Sequence, residues 1–184
     1  MIRFRRADDP HMLAVSMTGI KMGDRMVHIG CGHGGRLGAV ASKVGLSGRA
    51  VAIVPDEKSA AKAQKGAAKA GVLVEVSVAP LGTLALDASA FDLAIIDNTD
   101  RLLSTASAGD RAASVRELFR VLRPGGRLIV VSAAPRAGLG GLFARAPAGP
   151  AFDASPTLLR EGFKTVRVVA ERDGLHFLEG LKPR

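Results

Sequence analysis

Four glycines between Val27 and Gly35, in the order Val-His-Ile-Gly-Cys-Gly-His-Gly-Gly, constrain this chain more than any other stretch. An apolar run leads straight into them, and a helical pattern follows. The segment therefore predicts a strand, a tight turn and a helix start. Glycine tolerates positive φ and has no Cβ, so such a turn brings the backbone close to a ligand. A nucleotide-like molecule would lie on it. Gly30, Gly32 and Gly35 also satisfy Gly-x-Gly-x-x-Gly, the dinucleotide fingerprint, which asks for an acid near the end of the next strand. That strand ends in Val54, so the fingerprint is incomplete. A purely structural turn is the third reading of the same glycines.

The rest of the chain alternates between strand and helix signals. Residues 9–19 predict a short helix opened by proline and stopped by glycine, within an N-terminal region over 1–23. Strands are expected at 25–30, 49–54, 72–78, 91–97 and 127–132. The continuous apolar run of the second suits a parallel strand covered on both faces. Helices are expected at 35–44, at 56–70, which is rich in Ala and Lys and is stopped by Gly71, and at 109–122, which stops at Pro124-Gly125-Gly126. Residues 133–155 are rich in Gly, Ala and Pro and predict a mobile loop running into a short helix near 155–162. Two last strands, 164–171 and 175–182, join through Asp173-Gly174 as a hairpin. This alternation implies an α/β fold, a doubly wound and mostly parallel sheet with an antiparallel edge, in a single domain over 1–184. Ligands of such sheets bind outside the carboxyl ends of the strands. Gly30–Gly34, Val54–Asp56, Ala79–Pro80 and Asp97–Asp100 then surround one crevice.

Composition narrows the function classes. The chain has 184 residues and a formal net charge of +9, with neither Trp nor Tyr. A catalytic tyrosine is excluded, and so are most base-stacking platforms. The charge allows attraction to nucleic acid, but the clusters Arg3, Arg5, Arg6 and Arg116, Arg120, Arg123, Arg127 lack interleaved aromatics. A solvated basic surface explains them equally. The single cysteine, Cys31, excludes internal disulfides, and the four histidines lack metal-ligand spacing around it. Neither a secretory signal nor a membrane span is expected, and the reading is cytoplasmic.

Three segments resemble the class I S-adenosylmethionine-dependent methyltransferases. They are Val27 to Gly34, Phe91-Asp92-Leu93-Ala94-Ile95-Ile96-Asp97, and Arg116 to Leu128 with its Leu-Arg-Pro-Gly-Gly. The last is the most specific. The likeness covers nearly the whole chain from about Asp24 and extends to the final two strands. It implies a Rossmann-like sheet of order 3-2-1-4-5-7-6 with strand 7 antiparallel, and S-adenosylmethionine as cofactor. It also implies cofactor contacts at Gly30, Cys31, Gly32, His33, Gly34, Val54, Pro55, Asp56, Ala79, Pro80 and Asp97, and an acceptor near Asn98 and Asp100.

The departures are equally specific. Family members usually carry an acid two residues before the first glycine, where this chain has His28. They carry a ribose-binding acid at the end of the second strand, where it has Val54. They often carry an acid after the third strand, where it has Ala79-Pro80. Asp56 stands two residues beyond Val54, as a substitute ribose acid or as a helix-terminal acid. His28 reads as a core histidine or a proton-transfer group, and His33 as a ligand contact. Asp97-Asn98-Thr99-Asp100 reads as a substrate segment or a helix cap. Glu117 and Arg120 read as surface contacts on a helix, and Arg136 and Arg145 as loop charges. Three functions follow. One is methyl transfer to a small-molecule or macromolecular acceptor. The second is a binding or assembly module that has lost its cofactor, whose open crevice would suit a large partner or a second copy of the chain. The third, resting on the positive charge, is methylation or binding of RNA.

Overall fold

A computed structural model describes residues 11–134 and 152–184. Thirteen elements follow in order: α1 (Met12–Thr18), β1 (Arg25–Ile29), α2 (Gly35–Val44), β2 (Arg49–Val54), α3 (Glu57–Ala70), β3 (Glu75–Val78), β4 (Phe91–Asn98), α4 (Leu102–Thr105), α5 (Ala108–Val121), β5 (Leu122–Ala133), α6 (Ser155–Arg160), β6 (Lys164–Arg172) and β7 (Leu175–Leu181). The strands make one seven-stranded sheet of order β3-β2-β1-β4-β5-β7-β6. The first five are parallel, and β7 runs antiparallel to both β5 and β6. The order reverses beside β1, so β1 and β4 flank the crevice where α/β folds bind ligands.

Alternation along each strand divides the core into two layers. Val27, Ile29, Ile53, Ile96 and Leu128 face α5 and α6, where Val115, Leu118 and Leu158 cover them. Met26, Ala52, Val54, Leu93 and Ile95 face the other way, under Ala14, Leu37, Val40 and Ala63 of α1, α2 and α3. Central strands buried on both faces explain the continuous apolar runs of the sequence. Helices α2 and α3 approach closely because glycines meet there. A Cβ on Gly66 of α3 would fall 2.2 Å from the Gly34 carbonyl oxygen, and one on Gly38 would fall 2.6 Å from that of Gly66.

Helix α1 is tied to the sheet by polar groups. Arg127 on β5 donates to the Gly19 carbonyl at 3.4 Å and to Glu179 of β7 at 3.3 Å. Arg167 donates to the second oxygen of Glu179 at 3.0 Å, so this buried carboxylate is paired on both sides.

Apart from shifts of one to three residues at element ends, the structure departs from the sequence expectation in three places. Strand β5 begins at Leu122, not Arg127. Leu122 pairs with Phe91 before the register shifts, and Pro124-Gly125-Gly126 forms a bulge inside the strand. Backbone bonds from Gly125 N to Lys182 O at 3.0 Å and from Lys182 N to Gly126 O at 2.9 Å pin that bulge to the tail. Strand β3 keeps only Glu75–Val78 of the expected 72–78, and the four-residue α4 lies where no helix was expected. Residues 135–151 of the Gly/Ala/Pro-rich segment lie outside the described residues, with Arg136, Arg145 and the Arg3–Arg6 cluster.

Candidate functional site

The glycine turn follows β1 directly. Gly30, Gly32 and Gly34 have φ of 72°, 53° and 85°, which only glycine adopts without strain. Beneath the turn, His28 is buried, and its Nδ1 lies 2.8 Å from the Gly30 carbonyl oxygen. A carbonyl only accepts, so Nδ1 carries the proton and the ring braces the turn. Burial pushes the His28 pKa below its ordinary 6.5, against the pull of Asp97. It is a neutral core histidine.

On top of the turn sits an ion pair. Asp97 closes β4, and its side chain is 1% exposed; Arg36, from the first turn of α2, is 11% exposed. Arg36 Nε donates to Asp97 Oδ2 at 3.0 Å, and Nη2 donates to Oδ1 at 3.0 Å. Thr99 adds its backbone N–H at 3.1 Å and its hydroxyl at 2.5 Å, and also accepts from Arg36. A Cβ on Gly32 would stand 2.9 Å from the Arg36 guanidinium and 3.1 Å from Asp97 Oδ2. The missing side chain of Gly32 therefore makes room for this pair. Burial alone would raise the Asp97 carboxyl pKa, but the Arg36 guanidinium and the Thr99 bonds outweigh it and hold it below the ordinary range.

The other expected residues take definite places. Cys31 turns away from the crevice and donates to the Ser59 carbonyl at 3.2 Å; burial raises its pKa, which disfavours the thiolate a nucleophile needs. His33 is exposed, accepts from Gly35 N at 3.1 Å, and lies 5.2 Å from the ring of His11. Asp56 is the N-cap of α3 and accepts from Ser59 N at 2.7 Å. Val54 is fully buried, and its carbonyl accepts from Ala79 N at 3.1 Å, which brings Val54–Pro55 beside Ala79–Pro80 as an uncharged wall. Asn98 spends its amide on structure. Its Oδ1 accepts from Leu103 N at 2.7 Å and Ser104 N at 3.3 Å, and its Nδ2 donates to Ser132 at 3.1 Å. Asp100 is exposed beyond it.

Arg36 was not among the sequence candidates. Its partner lies 61 residues away and comes near only because β1 and β4 are neighbours. Glu117 and Arg120 also do more than surface duty. Arg120 donates to the carbonyls of Leu84 and Leu86 at 2.9 Å each, and Glu117 accepts from Leu84 N at 2.8 Å. Together they stitch the β3–β4 segment to α5. The arginines from 116 to 127 are ion-paired with Glu161, Glu117, Asp92 and Glu179, so they form no free basic patch. Among the described residues no His/Cys/Asp/Glu group could hold a metal ion, and no helix is long and apolar enough to cross a membrane.

Comparison with known proteins agrees with this geometry. The family described as a methyltransferase domain matches residues 26–126, more than half of the chain. An uncharacterised 37.1 kDa protein of a Streptomyces fradiae transposon is 35% identical over 108 residues; the match spans 59% of this chain but 30% of that protein's length. A SAM-dependent methyltransferase from Aquifex aeolicus superposes with a TM-score of 0.75 at 20% identity, covering 94% of this chain and 89% of the other. The [4+2]-cyclase SpnF gives 0.70 at 21% identity, covering 94% and 79%. A SAM-dependent methyltransferase from Methanosarcina mazei gives 0.64 at 21% identity, covering 89% and 94%. The glycine turn, the strand order and the family match converge: the chain belongs to the class I S-adenosylmethionine-dependent methyltransferase domains.

Proposed function

We propose that this chain binds S-adenosylmethionine on the glycine turn and transfers its methyl group to an acceptor approaching past Asp100. The observation that carries this reading is the Arg36–Asp97 pair lying on Gly32. The amino-acid end of S-adenosylmethionine is a zwitterion, and a paired cation and anion complement it. Asp97 would take the ammonium and Arg36 the carboxylate, exchanging one ion pair for two. Gly30–Gly34 would let the backbone, that of Cys31 included, approach the nucleoside, with the exposed His33 beside it. Pro55, Ala79 and Pro80 would wall the base. When bound, the cofactor supplies an electrophilic sulfonium methyl group. The work left to the protein is to hold the acceptor in line with it, which needs no dedicated acid–base pair. Asn98 serves by fixing α4 and the turn that carries Asp100. A fold alone does not decide the reaction, as the cyclase among the structural neighbours makes plain.

The second reading is a binding or assembly module without cofactor. It is favoured by Val54, by the uncharged Ala79-Pro80, and by Asp56 being occupied as a cap. One calorimetric titration with S-adenosylmethionine and S-adenosylhomocysteine separates the two. The expected result is micromolar binding, weakened at least about tenfold in Asp97→Asn by loss of a charged contact. An absence of binding at millimolar ligand, in protein that still melts cooperatively, would sink the cofactor reading and leave the module.

A further inference from the structure

The crevice has two ends of unlike chemistry. At the β4 end stands a buried charged pair, Asp97 with Arg36. At the β2 end no carboxylate stands on the strand terminus, and the nearest one, Asp56, caps α3. In open α/β nucleotide sites an acid near the end of the second strand accepts the ribose hydroxyls. Here that position is Val54, wholly buried with its side chain packed against the α2–α3 layer. Asp56 is exposed and extended (φ −156°, ψ 165°), and its Oδ1 holds Ser59 N at the start of α3. Moving it to a ligand would uncover that helix terminus. Glu57 lies one residue further along, on the first turn of α3. Asp97 near the end of β4 and Asp100 in the turn after it lie on the far side of β1 from β2.

We infer that this chain recognises its ligand by the amino-acid end and is indifferent to the ribose hydroxyls. It therefore accepts S-adenosyl nucleosides altered at the 2′ or 3′ position. The inference rests on the cofactor reading above and adds a specificity to it. One hydrogen bond to a carboxylate would discriminate a hydroxyl from a hydrogen by about tenfold to a hundredfold, and a valine supplies none. At the other end, a ligand without the zwitterion leaves Asp97 and Arg36 paired only with each other and forgoes the second ion pair.

The test uses the unmodified protein and three ligands in calorimetry. These are S-adenosylhomocysteine, its 2′-deoxy analogue, and 5′-methylthioadenosine, which keeps the nucleoside and lacks the amino-acid end. The expected result is that the first two bind within about fivefold of each other and that the third binds at least about tenfold more weakly. A 2′-deoxy penalty beyond about fivefold overturns the inference while leaving the cofactor reading intact. So does methylthioadenosine binding as tightly as S-adenosylhomocysteine. If S-adenosylhomocysteine itself fails to bind folded protein at millimolar concentration, the cofactor reading falls and this inference falls with it.

Discussion

Substitution of Gly66 by alanine tests whether the glycine turn is held from below by α3. On propensity alone the change should stabilise the helix, by about 0.8–1 kcal/mol. The packing argues the reverse. The new Cβ would lie 2.2 Å from the Gly34 carbonyl oxygen, 2.5 Å from its carbon and 2.8 Å from its Cα, whereas ordinary contact begins at 3.4 Å. Helix and turn must therefore part by about 1.2 Å along that line. The obstacle is backbone, and it is held in turn by bonds from Gly34 N to Cys31 O at 2.7 Å and from Gly38 N to Gly34 O at 3.0 Å. Overpacking costs about 1–3 kcal/mol, and an immobile neighbour puts this site at the upper end. After the propensity gain, a net loss of about 2 kcal/mol remains, or about 4–8 °C in melting temperature for a domain of this size. The chain has no Trp or Tyr, so the assay is scanning calorimetry or far-ultraviolet circular dichroism. Gly109→Ala is the control: its Cβ would meet nothing closer than Ser107 Oγ at 3.8 Å, and it should be neutral or slightly stabilising. A Gly66→Ala protein melting at or above the parent temperature would refute the close-packing argument.

His28 predicts a pH dependence. Burial keeps its folded-state pKa below the ordinary 6.5, so its contribution is complete above pH 6.5 and is lost as pH falls toward the folded value. The melting temperature should drop on acidification from neutrality, and His28→Val should flatten that slope; an unchanged slope would mean that His28 is not buried neutral. Arg120→Met removes two carbonyl bonds and the partner of Glu117, and should cost about 1–3 kcal/mol. Amide exchange should accelerate across residues 80–90, whereas Arg172→Met, at the exposed pair with Asp173, should change little. Equal effects of the two substitutions would argue against a stitching role.

Most elements were legible because each depends on local signals, namely apolar runs, glycine stops and the Asp173-Gly174 hairpin, whereas the strand order followed from the resemblance of the three motif segments to a known family. Helix α2 begins and ends where the sequence predicts, at Gly35 and Val44, as does β2 at Arg49 and Val54. The misses share a cause. Pro124-Gly125-Gly126 reads locally as a helix stop, but Leu122 is drawn into the sheet by Phe91, and the bulge is paired to a tail residue nearly sixty positions on. Helix α4 is too short for a period, and its first N–H groups, from Leu103 and Ser104, are held by Asn98 at the end of β4 and not by its own N-cap, Arg101. At the candidate site the glycines and Asp97 were visible. Arg36 was not, because an arginine on a helix surface has no local mark of its partner. The strand order could have found it: with β1 beside β4, the first turn of α2 must lie beside the end of β4.

The Arg127 linkage between Gly19 and Glu179 bears on the order in which the chain acquires its structure. Helix α1 is the first described element to leave the ribosome, whereas the carboxylate that pairs with Arg127 belongs to the last strand. Until β7 has been synthesised and laid against β5, Arg127 lacks that counter-charge, and the carbonyl end of α1 has no fully anchored donor to dock on. This polar anchor of α1 therefore waits for β7, whereas the apolar packing of Ala14 beside Leu37 and Val40 of α2 does not. A chain halted before β7 would keep the apolar seat of α1 on α2 and lack the Glu179 carboxylate that holds Arg127 against the Gly19 carbonyl.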